Sequence, residues 1–367
     1  MILMDIYDEI LSTLESDDHL ILATIISTTG STPAATLSKM LVKKGGIISV
    51  GTVGGGCMEG DVLMHAHRID GTGKAEILTF HLNEDDVEHG LICGGSLDVL
   101  IEPVTRSHIP LIRTLQSLRD EGNDFIVATH LRSDGTIGAK RIISGGASVP
   151  QGAMDLPLPP SHFDEITRKT LHRQETVRIA VTDGEVILEP VFGRPSLIIF
   201  GGGHVSKYVS RIAALCGFRI TIVDDREKFA NTQRFPEATR TIVADFLEAF
   251  PKLTVNASSY ILIVTRGHRY DTAILGEAVK TPARYIGMIG SKRKVLSAFE
   301  YLRQHGIAEE RLQQIHSPVG MNIGAVSAEE IAVSIVAELI TIRRGSGSLF
   351  LHKSDDLWKP VSEPHKS

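Results

Sequence analysis

The sequence predicts an α/β protein in which a Rossmann-like doubly wound parallel sheet follows a mixed α+β N-terminal domain. Three observations predict it. From Pro195 onward strands alternate with helices, beginning with SLIIFGGGHVSKYVSRIAALCGFRITIVDD, a strand, glycine turn, helix and strand. Before that point strands and hairpins dominate. At 367 residues the chain also exceeds one ordinary core, so two domains are the default. The expected boundaries are 1–190 for the first domain, with a connector near 149–160, then 195–345, then a loose tail at 346–367.

The elements follow in order. DIYDEILSTLESDD puts Ile6, Ile10, Leu11 and Leu14 on one helical face. LILATII, residues 20–26, is a buried strand, and the polar Gly/Pro loop Ser27–Ala34 follows. TLSKMLV alternates and predicts a strand over Thr36–Val42, and KKGG turns into a strand over Ile47–Val50. The glycine-rich stretch Gly51–Asp61 then opens a helix with Val62, Ala66 and Ile69 on one face. Strand Ala75–Leu82, the acidic segment NEDDVEHG and the alternating LICGGSLDVLIEPV come next. A helix at IPLIRTLQSLRDEG precedes a hairpin around Ser133-Asp134-Gly135. A helix near Phe163–His172 and a hairpin around Asp183-Gly184 close the first domain. In the second, strands are expected at 241–243, 260–264 and 284–289, and helices at 270–280, 291–304 and 327–343.

Composition excludes several classes. Net charge is −6, from 38 basic and 44 acidic residues, which gives no general reason to bind nucleic acid or an anionic membrane. No apolar run reaches the length of a membrane span. The N-terminus MILMDIYDEI lacks a basic leader, so no secretory signal is expected. Three cysteines, Cys57, Cys93 and Cys216, suggest a reducing cytoplasm rather than a disulfide scaffold.

The chemistry-bearing residues gather at glycine corners. Gly54, Gly55 and Gly56 run into Cys57 and Glu59 at a helix start. Glycines let another group approach the backbone, and a helix N-terminus favours negative charge and a thiolate. Cys57 is therefore expected to carry thiolate character, although a small buried cysteine filling a tight contact is the alternative. Cys93, beside Gly94-Gly95, is a second candidate, and Cys216 reads as core. No Cys-x-x-Cys or His-x-x-x-His spacing supports a structural zinc, and no Ser/His/Asp arrangement supports hydrolysis.

In the second domain Gly201, Gly203 and His204 form a dinucleotide-type corner, with Ser206 where the pattern has Gly or Ala. Asp224 ends the next strand, where an acid binds ribose hydroxyls. YIGMIGSKRK is a second phosphate-like corner, with Ser291 as N-cap and Lys292, Arg293 and Lys294 in the first helical turn. Cations there oppose the helix dipole unless an anion or acid compensates. TRGHRYD brings Arg266, His268 and Asp271 to the same sheet edge, and HSPVGMNIGA forms a loop able to close that crevice.

Together GTVGGGCMEGDV, ICGGSLDVLIEP, LIIFGGGHVS, IVDDR, YIGMIGSKRK and HSPVGMNIGAVSAEEIAVSIVAELI resemble the XdhC/CoxI family, accessory factors of xanthine dehydrogenase and related molybdenum hydroxylases. The resemblance spans about residues 12–343 and is weakest over about 105–190. It departs after Pro33, where AATLSKM replaces the family's basic residue and glycine before Lys-Met. It implies a molybdenum cofactor chaperone without turnover of its own: a homodimer that binds molybdopterin, is served by a cysteine desulfurase, and passes the cofactor to a xanthine dehydrogenase-type hydroxylase. Phosphate would sit on the glycine corners, Cys57 would contact molybdenum, and Glu59 would meet the pterin. The alternatives are an NAD(P)-dependent oxidoreductase and a nucleotide-sensing binding protein, both using Gly201, Gly203 and Asp224.

Overall fold

The structure is a computed structural model that describes residues 5–82, 94–144, 156–158 and 163–345. The expected connector at 149–160, apart from Leu156–Leu158, and the expected tail lie outside them, as does Cys93. The chain falls into two compact units, one running to Gly193 and the other starting at Arg194. No described helix is long and apolar enough to cross a membrane.

The first unit opens with α1 (Ile6–Ser16), whose N-cap Asp5 accepts from the Tyr7 N–H. Strands β1 (His19–Thr29), β2 (Lys39–Lys43) and β3 (Ile47–Gly51) lead to α2 (Gly56–Ile69). Next come β4 (Glu76–His81), β5 (Ser96–Thr105), a 3-10 turn (Arg106–His108) and α3 (Ile109–Asp120). Then β6 (Phe125–Arg132), β7 (Ile137–Ser144), α4 (Phe163–Arg173), β8 (Val177–Val181) and β9 (Gly184–Val191) complete it. The strands form two antiparallel sheets, ordered β3-β2-β1-β5-β4 and β7-β6-β9-β8.

Alternation on β1 explains the layering. Ile21, Ala23 and Ile25 face one cluster, where Met58, Val62, Ala66 and Ile69 of α2 cover the sheet. Leu20 and Leu22 face the other, with Ile10 and Leu14 of α1, Ile112 and Leu115 of α3, and Phe125 and Val127 of the second sheet. Two largely buried ion pairs join the sheets. Lys39 of β2 meets Glu189 of β9 at 2.7 Å, and Lys140 of β7 meets Glu102 of β5. Neither was legible in the sequence.

The second unit holds β10 (Ser196–Phe200), α5 (His204–Leu215), β11 (Arg219–Asp224), β12 (Arg240–Val243) and α6 (Phe246–Ala249). It continues with β13 (Ser259–Ile263), α7 (His268–Ala278), β14 (Tyr285–Met288), α8 (Lys292–Gln304), α9 (Glu309–Leu312), β15 (Ile315–His316) and α10 (Ala328–Arg344). All six strands are parallel in the order β12-β11-β10-β13-β14-β15, the doubly wound arrangement. Ile198 and Phe200 pack toward α6, α7 and α8, while Leu197 and Ile199 pack toward α5 and α10. Both faces of the sheet are thus covered, which is why its strands are near-continuous apolar runs.

Candidate functional site

In the first unit β3 ends at Gly51, whose φ is +85° and where a Cβ would lie 2.0 Å from the Lys39 carbonyl oxygen. Only glycine fits. At Gly54 a Cβ would lie 2.9 Å from Pro33 Cγ, so the turn packs on the loop between β1 and β2. Gly55 caps α2 with φ +84° and Gly56 follows with φ +46°; a Cβ on either would meet nothing within 4 Å. The backbone here is open to approach. Cys57, second in the helix, is exposed with a free thiol, while Met58 turns into the core. The packing reading of Cys57 therefore does not describe it.

Glu59 is engaged within the corner. The Thr52 hydroxyl accepts from the Gly54 N–H at 3.1 Å and donates to Glu59 Oε1 at 2.5 Å. The acid braces the turn through this relay. On the other side of the loop, Gly94 is exposed, bridges to Ser31 and donates to the Leu82 carbonyl at 2.8 Å. A Cβ on Gly95 would lie 2.3 Å from the Ser31 carbonyl oxygen. The strand expected to end at residue 26 runs on to Thr29, so the loop is residues 30–38, and it lies between two glycine corners that are distant in sequence. Leu37, in the stretch where the sequence departs from the family, takes φ +71°.

The second unit carries its corner at the carboxyl edge of the parallel sheet. A Cβ on Gly201 would lie 2.3 Å from the Val264 carbonyl oxygen, and one on Gly202 2.0 Å from that of Phe229. Gly203, the N-cap of α5, faces open space. Ser206 is fully buried and its Oγ donates to the Gly201 carbonyl at 2.5 Å, tying helix to turn where the usual pattern relies on close packing. His204 is exposed at the helix start, its ring edge-on to Tyr208 at 5.2 Å. Tyr208 donates to Glu329 in the first turn of α10, which lowers the Glu329 carboxyl and raises the phenol.

Asp224 is fully buried and saturated. It accepts from the Gly202 N–H at 2.8 Å, from the Arg226 N–H at 3.1 Å, and from Arg226 Nε and Nη2 at 2.8 and 3.0 Å. Burial pushes its carboxyl up, but the donors from Arg226 and Gly202 outweigh this and hold it below the usual range. The acid expected to meet ribose is here bound to its own turn. Two arginines flank Phe229: Arg226 at 3.6 Å from the ring centre and Arg234 at 5.2 Å. Arg234 also donates to the Gly202 and Gly203 carbonyls at 2.9 and 3.2 Å. Sequence reasoning missed Arg234, Phe229 and Tyr208, which sit in no motif, and Glu329, which lies within HSPVGMNIGAVSAEEIAVSIVAELI but was not singled out there.

Along the same edge Arg266 pairs with Asp225 at 2.9 Å and approaches the Tyr270 ring at 6.0 Å. Ser291 caps α8, its Oγ accepting from the Lys294 N–H. Lys294 pairs with fully buried Asp271, and Arg293 is exposed. His268 and Lys292 open α7 and α8; their side chains lie outside the described residues. The loop after β15 is pinned at its base. Ser317 Oγ and Val319 N–H donate to the Met288 carbonyl at 2.9 and 3.2 Å, and Gly320 N–H donates to Glu338 at 3.0 Å. Its tip leaves Ile323 and Val326 exposed. Among the described residues no group of three or more His, Cys, Asp or Glu is placed to hold a metal ion.

A parallel sheet ordered in this way, with a glycine turn leading into α5, defines a Rossmann domain behind an antiparallel unit. Residues 197–339 match the family model described as the XdhC Rossmann domain, and residues 13–81 match that of the XdhC and CoxI family. The chain belongs to the XdhC/CoxI family.

It is 34% identical over 163 residues to the uncharacterized protein YqeB of Escherichia coli K12, covering 44% of this chain and 30% of that relative. It is 26% identical over 352 residues to a protein of Bacillus subtilis 168 described as a probable xanthine dehydrogenase subunit, covering 90% of this chain and 95% of the relative. Identity is 22% over 349 residues to the molybdenum cofactor insertion chaperone PaoD of Escherichia coli K12, covering 95% and 89%. A crystal structure described as a xanthine dehydrogenase from Bacillus halodurans superposes with a TM-score of 0.75 at 25% identity, covering 96% of this chain and 99% of that one.

Proposed function

We propose that this chain is an accessory protein that binds the molybdenum cofactor, holds it while a cysteine desulfurase supplies sulfur, and inserts it into a hydroxylase of the xanthine dehydrogenase type. The names of the two relatives matched over nearly their full length support the reading: one is called a probable xanthine dehydrogenase subunit, the other a molybdenum cofactor insertion chaperone. The observation that carries it is the exposed Cys57 thiol in the first turn of α2, beside Gly55 and Gly56, whose backbone faces open space.

The donor set fits the group. When bound, the cofactor supplies a phosphate and a molybdenum centre that accepts soft sulfur ligands. Gly55 and Gly56 would receive the phosphate at the positive end of α2, and Cys57 would offer the soft contact. Glu59 keeps the turn in shape through Thr52, with Gly94 on the far side of the loop. Gly201, Gly203, His204, Asp224, Arg266, His268, Ser291, Lys292 and Arg293 form a second candidate anion edge in the Rossmann unit. Because Asp224 is saturated by its own turn, NAD(P) binding there is the weaker reading.

The test is retention of pterin and molybdenum by the full chain purified from molybdate-replete cells. Wild type is expected to carry both, and Cys57→Ala about tenfold less at an unchanged melting temperature. Absence of pterin from wild type, with no binding when molybdopterin is added, would overturn the reading. Thermal stabilisation by NAD or NADP that Asp224→Ala abolishes would favour the nucleotide reading instead.

A further inference from the structure

Helices α6, α7 and α8 cover one face of the parallel sheet, and each leaves a large apolar side chain in solvent near its start. These are Leu247 of α6, Tyr270 of α7 and Leu296 of α8. They stand on adjoining turns. The Tyr270 ring lies edge-on to Phe246 at 5.2 Å, beside Leu247, and the Lys294–Asp271 pair joins the opening turns of α7 and α8. Exposed apolar side chains scattered singly are ordinary, but a row along neighbouring helix starts marks a surface that something covers.

The same row holds an unanswered charge. A cation in the opening turn of a helix opposes the helix dipole. Lys294 is answered by Asp271, but the exposed guanidinium of Arg293 beside it has no acidic partner among the described residues. Arg293 and Leu296 are three positions apart and so lie on one side of α8. The complement of such a surface is a segment in which acids stand next to large apolar side chains.

The chain carries one. Residues 346–367, which lie outside the described residues, read SGSLFLHKSDDLWKPVSEPHKS. Asp355-Asp356 run directly into Leu357 and Trp358, the one tryptophan of the chain. Length decides which part of this segment reaches the row. α10 ends at the amino edge of the sheet, where Arg284, next to the start of β14, donates to the Ile342 and Arg343 carbonyls. The row is at the carboxyl edge, about 26 Å back along the 17 residues of α10. Leu349–Leu351 stops six residues past Gly345, a reach of at most about 20 Å. Leu357 and Trp358 have about 40 Å of extended chain behind them, enough to return around the β15 end of the sheet.

We propose that residues 355–358 dock back on this row, with Asp355 and Asp356 answering Arg293, and Leu357 and Trp358 covering Tyr270 and Leu296. The row borders the candidate anion edge at Ser291 and Arg293, so the docked segment is an internal strap across that edge. The docking stands independently of whether the edge takes the cofactor.

Trp358 makes the test direct, because it is the sole source of tryptophan emission in the full chain. Emission and acrylamide quenching of the full chain are compared with those of a synthetic peptide of residues 346–367. The full chain is expected to emit at shorter wavelength and to be quenched several-fold more slowly. Arg293→Glu and Leu296→Asp, both at exposed positions, are each expected to bring both readouts to the peptide's values at an unchanged melting temperature. Asp355→Lys combined with Asp356→Lys is expected to do the same while altering no described residue, so misfolding cannot account for it. Adding Arg293→Glu to that pair is expected to restore protection, and added salt to weaken it. Emission and quenching equal to the peptide's in the unaltered chain would overturn the proposal. Protection that survives these substitutions would put the segment elsewhere, and protection lost on dilution would put it on a second copy; either outcome also overturns it.

Discussion

Asp271, fully buried in the first turn of α7, holds the ammonium of Lys294 from the first turn of α8. The Thr265 hydroxyl donates to the other oxygen of the same carboxylate at 2.5 Å. A cation in the opening turn of a helix is unfavourable unless an anion answers it, and here the anion is internal. One of the three consecutive cations that mark YIGMIGSKRK as an anion site is therefore structural.

Lys294→Met is expected to leave a buried, unpaired carboxylate and to cost about 3–5 kcal/mol. Adding Asp271→Asn to it is expected to recover part of that loss. Chemical denaturation of the two variants against wild type measures both.

Asp224 and His19 are expected to contribute pH dependences of opposite sign. Asp224 has a lowered carboxyl in the folded chain, so its contribution is complete above the unfolded value of about 4 and is lost as pH falls through the folded value. His19 behaves conversely. Burial lowers it, but hydrogen bonds to Asp70 and Asp18 outweigh burial and raise it. Its contribution is complete below about 6.5 and is lost as pH rises through the folded value. Hydrogen exchange resolved by unit, across pH, is expected to show the acid loss vanish in Asp224→Asn and the alkaline loss vanish in His19→Gln.

Adjacent glycines in the Rossmann turn are expected to differ sharply. Gly202→Ala places a methyl 2.0 Å from the Phe229 carbonyl oxygen and must displace backbone, at about 2 kcal/mol or more. Gly203→Ala meets nothing within 4 Å at an ordinary φ of −70° and is expected to stay within about 1 kcal/mol of wild type. Thermal melts distinguish the two, and any ligand that needs the open backbone will bind Gly203→Ala more weakly.

Leu37 sits at φ +71°, a conformation that costs a side-chain-bearing residue roughly 1–2 kcal/mol. Leu37→Gly relieves that and gives up about 0.5–1 kcal/mol of chain entropy. A net gain of up to about 1 kcal/mol in the stability measured by denaturation is expected.

What the sequence disclosed follows from range. The continuous apolar runs of β1 and β10 were legible as buried strands, because such a run is a local property of the sequence. The glycine corners were legible for the same reason: positive φ is written in the residue type. Pairings between distant segments were not. Lys39 and Glu189, 150 positions apart, carry no mark that they meet. Asp224 was located as the acid after the second strand of its unit, but its saturation by Arg226 and Gly202 depends on a turn geometry that residue types do not encode. Arg234 was invisible because its partners are backbone carbonyls, which every residue possesses.

The two ion pairs between the sheets run in opposite senses. Lys39 reaches from the first sheet to Glu189 in the second, and Lys140 reaches from the second to Glu102 in the first. Apolar contact between the layers is non-directional and tolerates sliding. Two crossed tethers do not: a shear of one residue in either direction separates both pairs together and strands four charges away from water. The first unit therefore carries a two-point key for the alignment of its layers, one that penalises a slipped assembly more than it strengthens the correct one.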